Sequence, residues 1–117
     1  MRKINIIRQK SIVGAAIRYY CVLNLSPEKF QQNIGLRERL SLGFSSEFLN
    51  GSNQIFPISN GEVISIELTE QENKLFVVAF NLGILAFSDE IIITTGTSYL
   101  IKTTMGLGGN QILISKI

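Results

Sequence analysis

KLFVVAF, residues 74–80, decides the fold. In an extended strand Leu75, Val77 and Ala79 point to one side and Phe76, Val78 and Phe80 to the other. After Lys74 neither side offers water a polar group, so a strand with this sequence must be central and covered on both faces. A sandwich core can fill one face. The other needs a further element of the chain or a second subunit.

Working outward, most of the flanking sequence alternates with a period of two. Upstream, Asn60-Gly61 precedes EVISIELT, where Ile64, Ile66 and Leu68 share a side opposite Val63, Ser65, Glu67 and Thr69. Asn-Gly tolerates the positive φ angles of a tight hairpin, so QIFPIS and EVISIELT are expected to pair. Downstream, Leu82-Gly83 turns into ILAFS, and EIIITT, SYLIKT and QILISK follow as short strands. Near the start, Ile17, Tyr19, Cys21, Leu23 and Leu25 form an apolar face interleaved with Arg18, Tyr20, Val22 and Asn24. Cys21 is thus expected in the core as a small hydrophobe.

Residues 26–53 depart from this pattern, with Ile34 their single β-branched residue. Ser26-Pro27 has the form of a helix N-cap followed by proline at the first helical position, and Glu28 lies in the first turn. Phe30 and Ile34 are four apart on one helical face, Gly35 is a suitable stop, and Leu36 and Leu40 repeat the spacing. Gly43 to Asn53 reads as loop anchored by Phe44, Phe48 and Leu49. This helical excursion is expected to cover the second face of KLFVVAF, with Phe30 and Ile34 against Phe76, Val78 and Phe80.

Composition agrees with a mostly β chain. Isoleucine occurs 18 times and alanine 4 times in 117 residues, a bias toward side chains that suit a pleated sheet. The expected architecture is a single antiparallel β-sandwich of seven to eight short strands over residues 1–117, with the helical segment inserted at about 26–53. Charged residues make up 17%, below the roughly 25% of an average domain, which implies some apolar surface.

The chemical inventory is sparse. Histidine is absent, which removes Ser-His-Asp and Cys-His catalysis and His-containing metal sites. Asp89-Glu90 and the Glu67, Glu70, Glu72 group could hold a hard cation, but acids at loop ends are more often solvated. No catalytic residue, metal ligand or cofactor site is therefore expected, and no enzyme activity. Arg8, Lys10 and Arg18 interrupt every apolar run near the start, so neither a signal peptide nor a membrane span is expected. One cysteine allows no intrachain disulfide, which fits a cytoplasmic setting. Arg2, Lys3, Arg8, Lys10 and Arg18 could form a nucleic-acid footprint. With a net charge of only +2, they read instead as basic solvent positions of a strand pair that guard an edge.

GLGGN, residues 106–110, matches the start of a dinucleotide fingerprint, but Gln111 stands where the third glycine belongs. Only seven residues follow Asn110, and they alternate like a strand, so the glycines turn the chain into its last strand.

The segment R8-x-x-S11-x-x-G14-A15-A16-x-R18-Y19, the strand through Val22 to Asn24, and N60-G61-E62 with I66-E67-L68 resemble small bacterial β-sandwich proteins of unknown function. The layout is also similar to PEGA-like surface modules. This resemblance implies a fold and a bacterial source, and it carries no catalytic residues. The expected role is a non-catalytic interaction module that binds protein or itself. The alternative is a small-ligand or carbohydrate-binding domain in which Tyr19, Tyr20 or Tyr99 lines a concave face.

Overall fold

The computed structural model describes residues 2–11, 17–32, 54–68, 71–81, 84–93, 98–106 and 109–117. The chain runs β1 (Arg2–Arg8), β2 (Arg18–Leu23), α1 (Pro27–Gln32), β3 (Ile55–Ile58), β4 (Val63–Leu68), β5 (Asn73–Asn81), β6 (Ile84–Phe87), β7 (Ile91–Ile93), β8 (Ser98–Gly106) and β9 (Gly109–Lys116). One sheet has the order β4-β1-β8-β9, and the other β3-β2-β5-β6 with β7 also on β5. The described residues are mostly β, in two sheets with one short helix, as the alternation predicts.

The main core lies between the sheets. Ile4, Ile6, Ile66, Leu68, Tyr99, Ile101 and Ile112 face Tyr19, Cys21, Leu23, Ile58, Leu75, Val77, Ala79 and Ile93. Strands β1, β2, β4, β5 and β8 contribute alternate residues, which is the arrangement expected of two packed sheets.

A second cluster lies on the far side of the β5 sheet, where Tyr20, Val22, Ile55, Phe76 and Val78 pack with Phe30 of α1. KLFVVAF is therefore covered on both faces. Ile34 and Gly35 fall outside the described residues, as does the side chain of Phe80. The helix starts where its cap predicts: the amide of Lys29 donates to Ser26 Oγ at 3.2 Å, and that of Phe30 to the Ser26 carbonyl at 2.9 Å. Phe30 is buried and meets Phe76 and Phe87 edge-on at centroid distances of 5.9 and 6.3 Å. Such pairs add roughly 0.5–1.5 kcal/mol each to the burial of the ring.

Asn24 makes the exit from β2 possible. Its φ is 55°, a left-handed conformation that asparagine tolerates better than most residues. Its amide donates to the Lys74 carbonyl at 2.8 Å, and the Lys74 amide returns a bond to Asn24 Oδ1 at 2.9 Å. A side-chain oxygen thus extends the β2–β5 ladder one step beyond Leu23↔Leu75. The alternation ends there, so Leu25 packs with the outer cluster rather than continuing the inward face of Tyr19, Cys21 and Leu23.

Strand β5 is served on its other edge by two short strands. β6 pairs from Val78 to Asn81 and β7 from Asn73 to Leu75. Ser88 bridges the gap, accepting from the Val77 amide through Oγ and donating its own amide to the Val77 carbonyl, both at 2.8 Å.

Three expectations need correction. First, β3 and β4 do not pair; β3 lies on β2 and β4 on β1, in different sheets. The hairpin expected of Asn60-Gly61 requires positive φ at both residues, but only Gly61 has it, at 78°. Negative followed by positive φ is the type II pattern, which splays the flanking strands. The turn accordingly carries the chain from one sheet to the other. Second, the sheets are not purely antiparallel, since β1 pairs with β8 in parallel from Asn5↔Ser98 to Arg8↔Ile101. A parallel pair needs a long crossover, and here the whole second sheet is laid down between the two strands. The described residues also hold nine strands rather than seven or eight.

Third, Arg8 is not a solvent position. It is only 3% exposed, and its guanidinium donates to the carbonyls of Ile58 at 3.0 Å and Ile17 at 3.1 Å. It lies on the Tyr19 ring, and burial pushes its pKa down from the usual arginine value.

GLGGN does join two strands. β8 and β9 pair antiparallel up to Gly106↔Gly109, and Leu107 and Gly108 lie outside the described residues. Among the described residues no helix is long and apolar enough to cross a membrane.

Candidate interaction surface

The two sheets treat their outer faces differently. Phe30 seals the middle of the β5 sheet, whereas no described element covers the outer face of β4-β1-β8-β9. Alternation places Val63, Ser65 and Glu67 of β4, Lys3, Asn5 and Ile7 of β1, Ser98, Leu100 and Lys102 of β8, and Leu113 and Ser115 of β9 on that face.

Register turns these positions into rows. Ile7 stands opposite Val63 on one side and Leu100 on the other, giving an apolar row roughly 10 Å wide at the usual strand spacing. Leu113 pairs with Lys102 beside that row, and the amide of Ile117 donates to the Ser98 carbonyl at 3.1 Å. Val63, Leu113 and Ile117 are 58%, 48% and 66% exposed, and Ile7 and Leu100 are half-buried. Asn5, Ser65, Ser98 and Ser115 fill the spaces between them without charge. Charge flanks the apolar row: the Lys3–Glu67 cross-strand neighbours lie on one side of it, and Lys102, midway along β8, lies on the other opposite Leu113. Ile92, the remaining large exposed apolar residue among those described, is on β7 in the other sheet.

The sequence singled out none of the apolar residues of this face. The signal that could have found them is Val63, the one apolar member of the otherwise polar side of EVISIELT. Its meaning depends on which strands lie beside β4.

The residues that the sequence did single out are dispersed or buried. Tyr19, Tyr20 and Tyr99 are all buried, so none presents a ring to solvent. The hydroxyl groups of Tyr19 and Thr103 are hydrogen-bonded to each other. Cys21 is buried, and desolvation pushes its thiol up to about 12, with the nearby Arg8 charge acting the other way. A thiol so strongly held in its neutral form is a poor nucleophile. The basic residues do not form one patch: Arg8 is internal, Lys3 and Lys10 belong to β1 and its exit, and Arg18 begins β2 in the other sheet. The side chain of Arg2 lies outside the described residues.

Among the acids, Glu67 is on the outer face of β4, Asp89 is exposed and Glu70 lies outside the described residues. Glu72 and Glu90 line an open cleft of about 380 Å³ with Lys74, Asn24, Leu25 and Ser26. Asn24 uses its side chain internally there, donating to Asn73 Oδ1 at 2.8 Å and accepting from Lys74. No group of three or more Cys, Asp or Glu side chains suited to a metal ion occurs among the described residues.

Comparison with family models, with curated proteins and with solved structures returned no match.

Proposed function

We propose that this chain is a non-catalytic protein-binding module whose contact surface is the outer face of β4-β1-β8-β9. The observation that carries this reading is the composition of that face: an uncharged apolar row of Val63, Ile7 and Leu100, with exposed Leu113 and Ile117 on the neighbouring edge strand, and charge at Lys3, Glu67 and Lys102 to either side of the row. Protein interfaces have that anatomy, with charged residues depleted from the centre and left at the rim. A four-stranded face is small, so the contact belongs with the weak and transient class unless a strand edge contributes to it. The partner is another protein or a second copy of the chain. A reducing, cytoplasmic setting suits a chain whose lone cysteine is buried, and the sequence resemblance favours a bacterial one.

A small polar ligand in the cleft beside Asn24 is the second reading. It is supported by the gathering of Glu72, Lys74 and Glu90. It lacks the aromatic platform expected from sequence, because all three tyrosines are internal.

Sedimentation velocity over a wide concentration range tests the first reading. The parent chain is expected to self-associate weakly, and the double variant Val63→Lys, Leu113→Lys to stay monomeric with an unchanged melting temperature. Equal association of parent and variant would remove this face from the account.

A further inference from the structure

Two Asn-Gly pairs occur in this chain, Asn50-Gly51 and Asn60-Gly61. Asn-Gly is the dipeptide most open to spontaneous imide formation, because glycine has no side chain to hinder its own amide nitrogen. In that reaction the Gly61 nitrogen gives up its proton to solvent and attacks Asn60 Cγ. A C–N bond forms, the Cγ–Nδ2 bond breaks, and ammonia leaves. Water then opens the ring at either carbonyl, producing aspartate or isoaspartate. Water enters, ammonia departs, and nothing is oxidised or reduced.

Here the reacting carboxamide is held. The amide of Ser11 donates to Asn60 Oδ1 at 3.1 Å, and Asn60 Nδ2 donates to the Ser11 carbonyl at 3.1 Å. The side chain thus reads both backbone groups of Ser11 as a neighbouring strand would. The backbone of the turn is held as well, with the Glu62 amide on the Ser59 carbonyl and the Ser59 amide on Glu62 Oε1, each at 2.9 Å. Both bonds fix the orientation of the carboxamide, and the one from Nδ2 must break before that nitrogen can leave as ammonia. Asn60 is only half-buried, so water and hydroxide reach the turn once it opens.

We propose that Asn60 is a self-modification site gated by its clamp to Ser11. With the clamp closed, the reaction is blocked; it proceeds only through the fraction of molecules in which the segment after β1 has let go. The conversion is also one-way in structural terms. An aspartate at this position keeps an acceptor for the Ser11 amide but has no donor for the Ser11 carbonyl, and it sets a full negative charge against that oxygen. Isoaspartate in addition inserts a backbone methylene into the turn that carries the chain between the sheets.

The test is peptide mapping by mass spectrometry after incubation at mildly alkaline pH, with native and urea-unfolded samples of the intact chain compared. In urea, Asn60 and Asn50 should convert at similar rates, since each is followed by glycine. In the native sample, Asn60 should convert at least about tenfold more slowly, by the factor through which local structure protects it. Native hydrogen exchange at the Ser11 amide measures that opening independently, and sub-denaturing urea should raise exchange and conversion in parallel. Equal native and unfolded rates at Asn60 would overturn the proposal, as would slow native conversion that does not follow Ser11 exchange.

Discussion

The guanidinium carbon of Arg8 lies 3.7 Å from the centre of the Tyr19 ring, joining β1 of one sheet to β2 of the other across the core. The same side chain ties in β3 through the Ile58 carbonyl and the entry to β2 through the Ile17 carbonyl. One residue therefore stitches three strands, at the end of the sandwich where the Asn60-Gly61 turn crosses between sheets.

Replacing Arg8 by methionine should keep the stem packed and remove the donors. The buried Ile58 carbonyl and the part-buried Ile17 carbonyl would then each lose a charged donor, at about 1–3 kcal/mol apiece, partly offset because a cation no longer has to be desolvated. We expect a net loss of about 2 kcal/mol in urea unfolding. Arg8→Lys should fall between parent and Arg8→Met, because one ammonium cannot reproduce the planar fork over Tyr19.

Phe30 is the plug of the outer cluster, and Phe30→Ala should cost about 3 kcal/mol, the lower end for a buried phenylalanine, because α1 is short and can give way. The variant should also bind an apolar dye, since Phe76 and Phe87 lose their cover. Lys29→Ala, one residue away and exposed, should change neither reading by more than about 0.5 kcal/mol.

The strands were legible from local alternation, and so was the need to cover KLFVVAF twice. Both are properties of one segment at a time, read from which side chains can face water. The cap at Ser26 was legible for the same reason. Partnership between strands was not. Asn60-Gly61 looked like a hairpin turn because the dipeptide permits two positive φ angles, and the chain uses only one. Arg8 looked like a surface cation because its burial depends on carbonyls 9 and 50 residues away and on a ring in the opposite sheet. The face that no described element covers was hidden for a related reason. Val63, Ile7 and Leu100 come from three strands distant in sequence, and only the parallel β1–β8 pair aligns them.

Cys21 gives a prediction in pH. Its thiol is raised to about 12 by burial, against roughly 8.5 in an unfolded chain. The folded protein thus keeps a proton that the unfolded chain releases, a contribution that is complete below the unfolded pKa and is lost as pH climbs toward the folded one. Stability should fall through that alkaline window by up to about 1.4 kcal/mol per pH unit from this group. Cys21→Ala, though less stable at neutral pH, should show a shallower fall over the same range. Native Cys21 should also react with a thiol reagent far more slowly than the unfolded chain.

Phe30 seals one outer face, and the proposed binding surface is the other, which no described element covers. Concentration-dependent NMR chemical shifts of the labelled chain test it most directly, because they report on both faces in one experiment. The account predicts that the shifts gather at Ile7, Val63, Leu100, Leu113 and Ile117 and leave Phe30, Phe76 and Phe87 unmoved. Shifts centred on α1 and the β5 sheet, or none on the β4-β1-β8-β9 face at any concentration or with any captured protein partner, would contradict it.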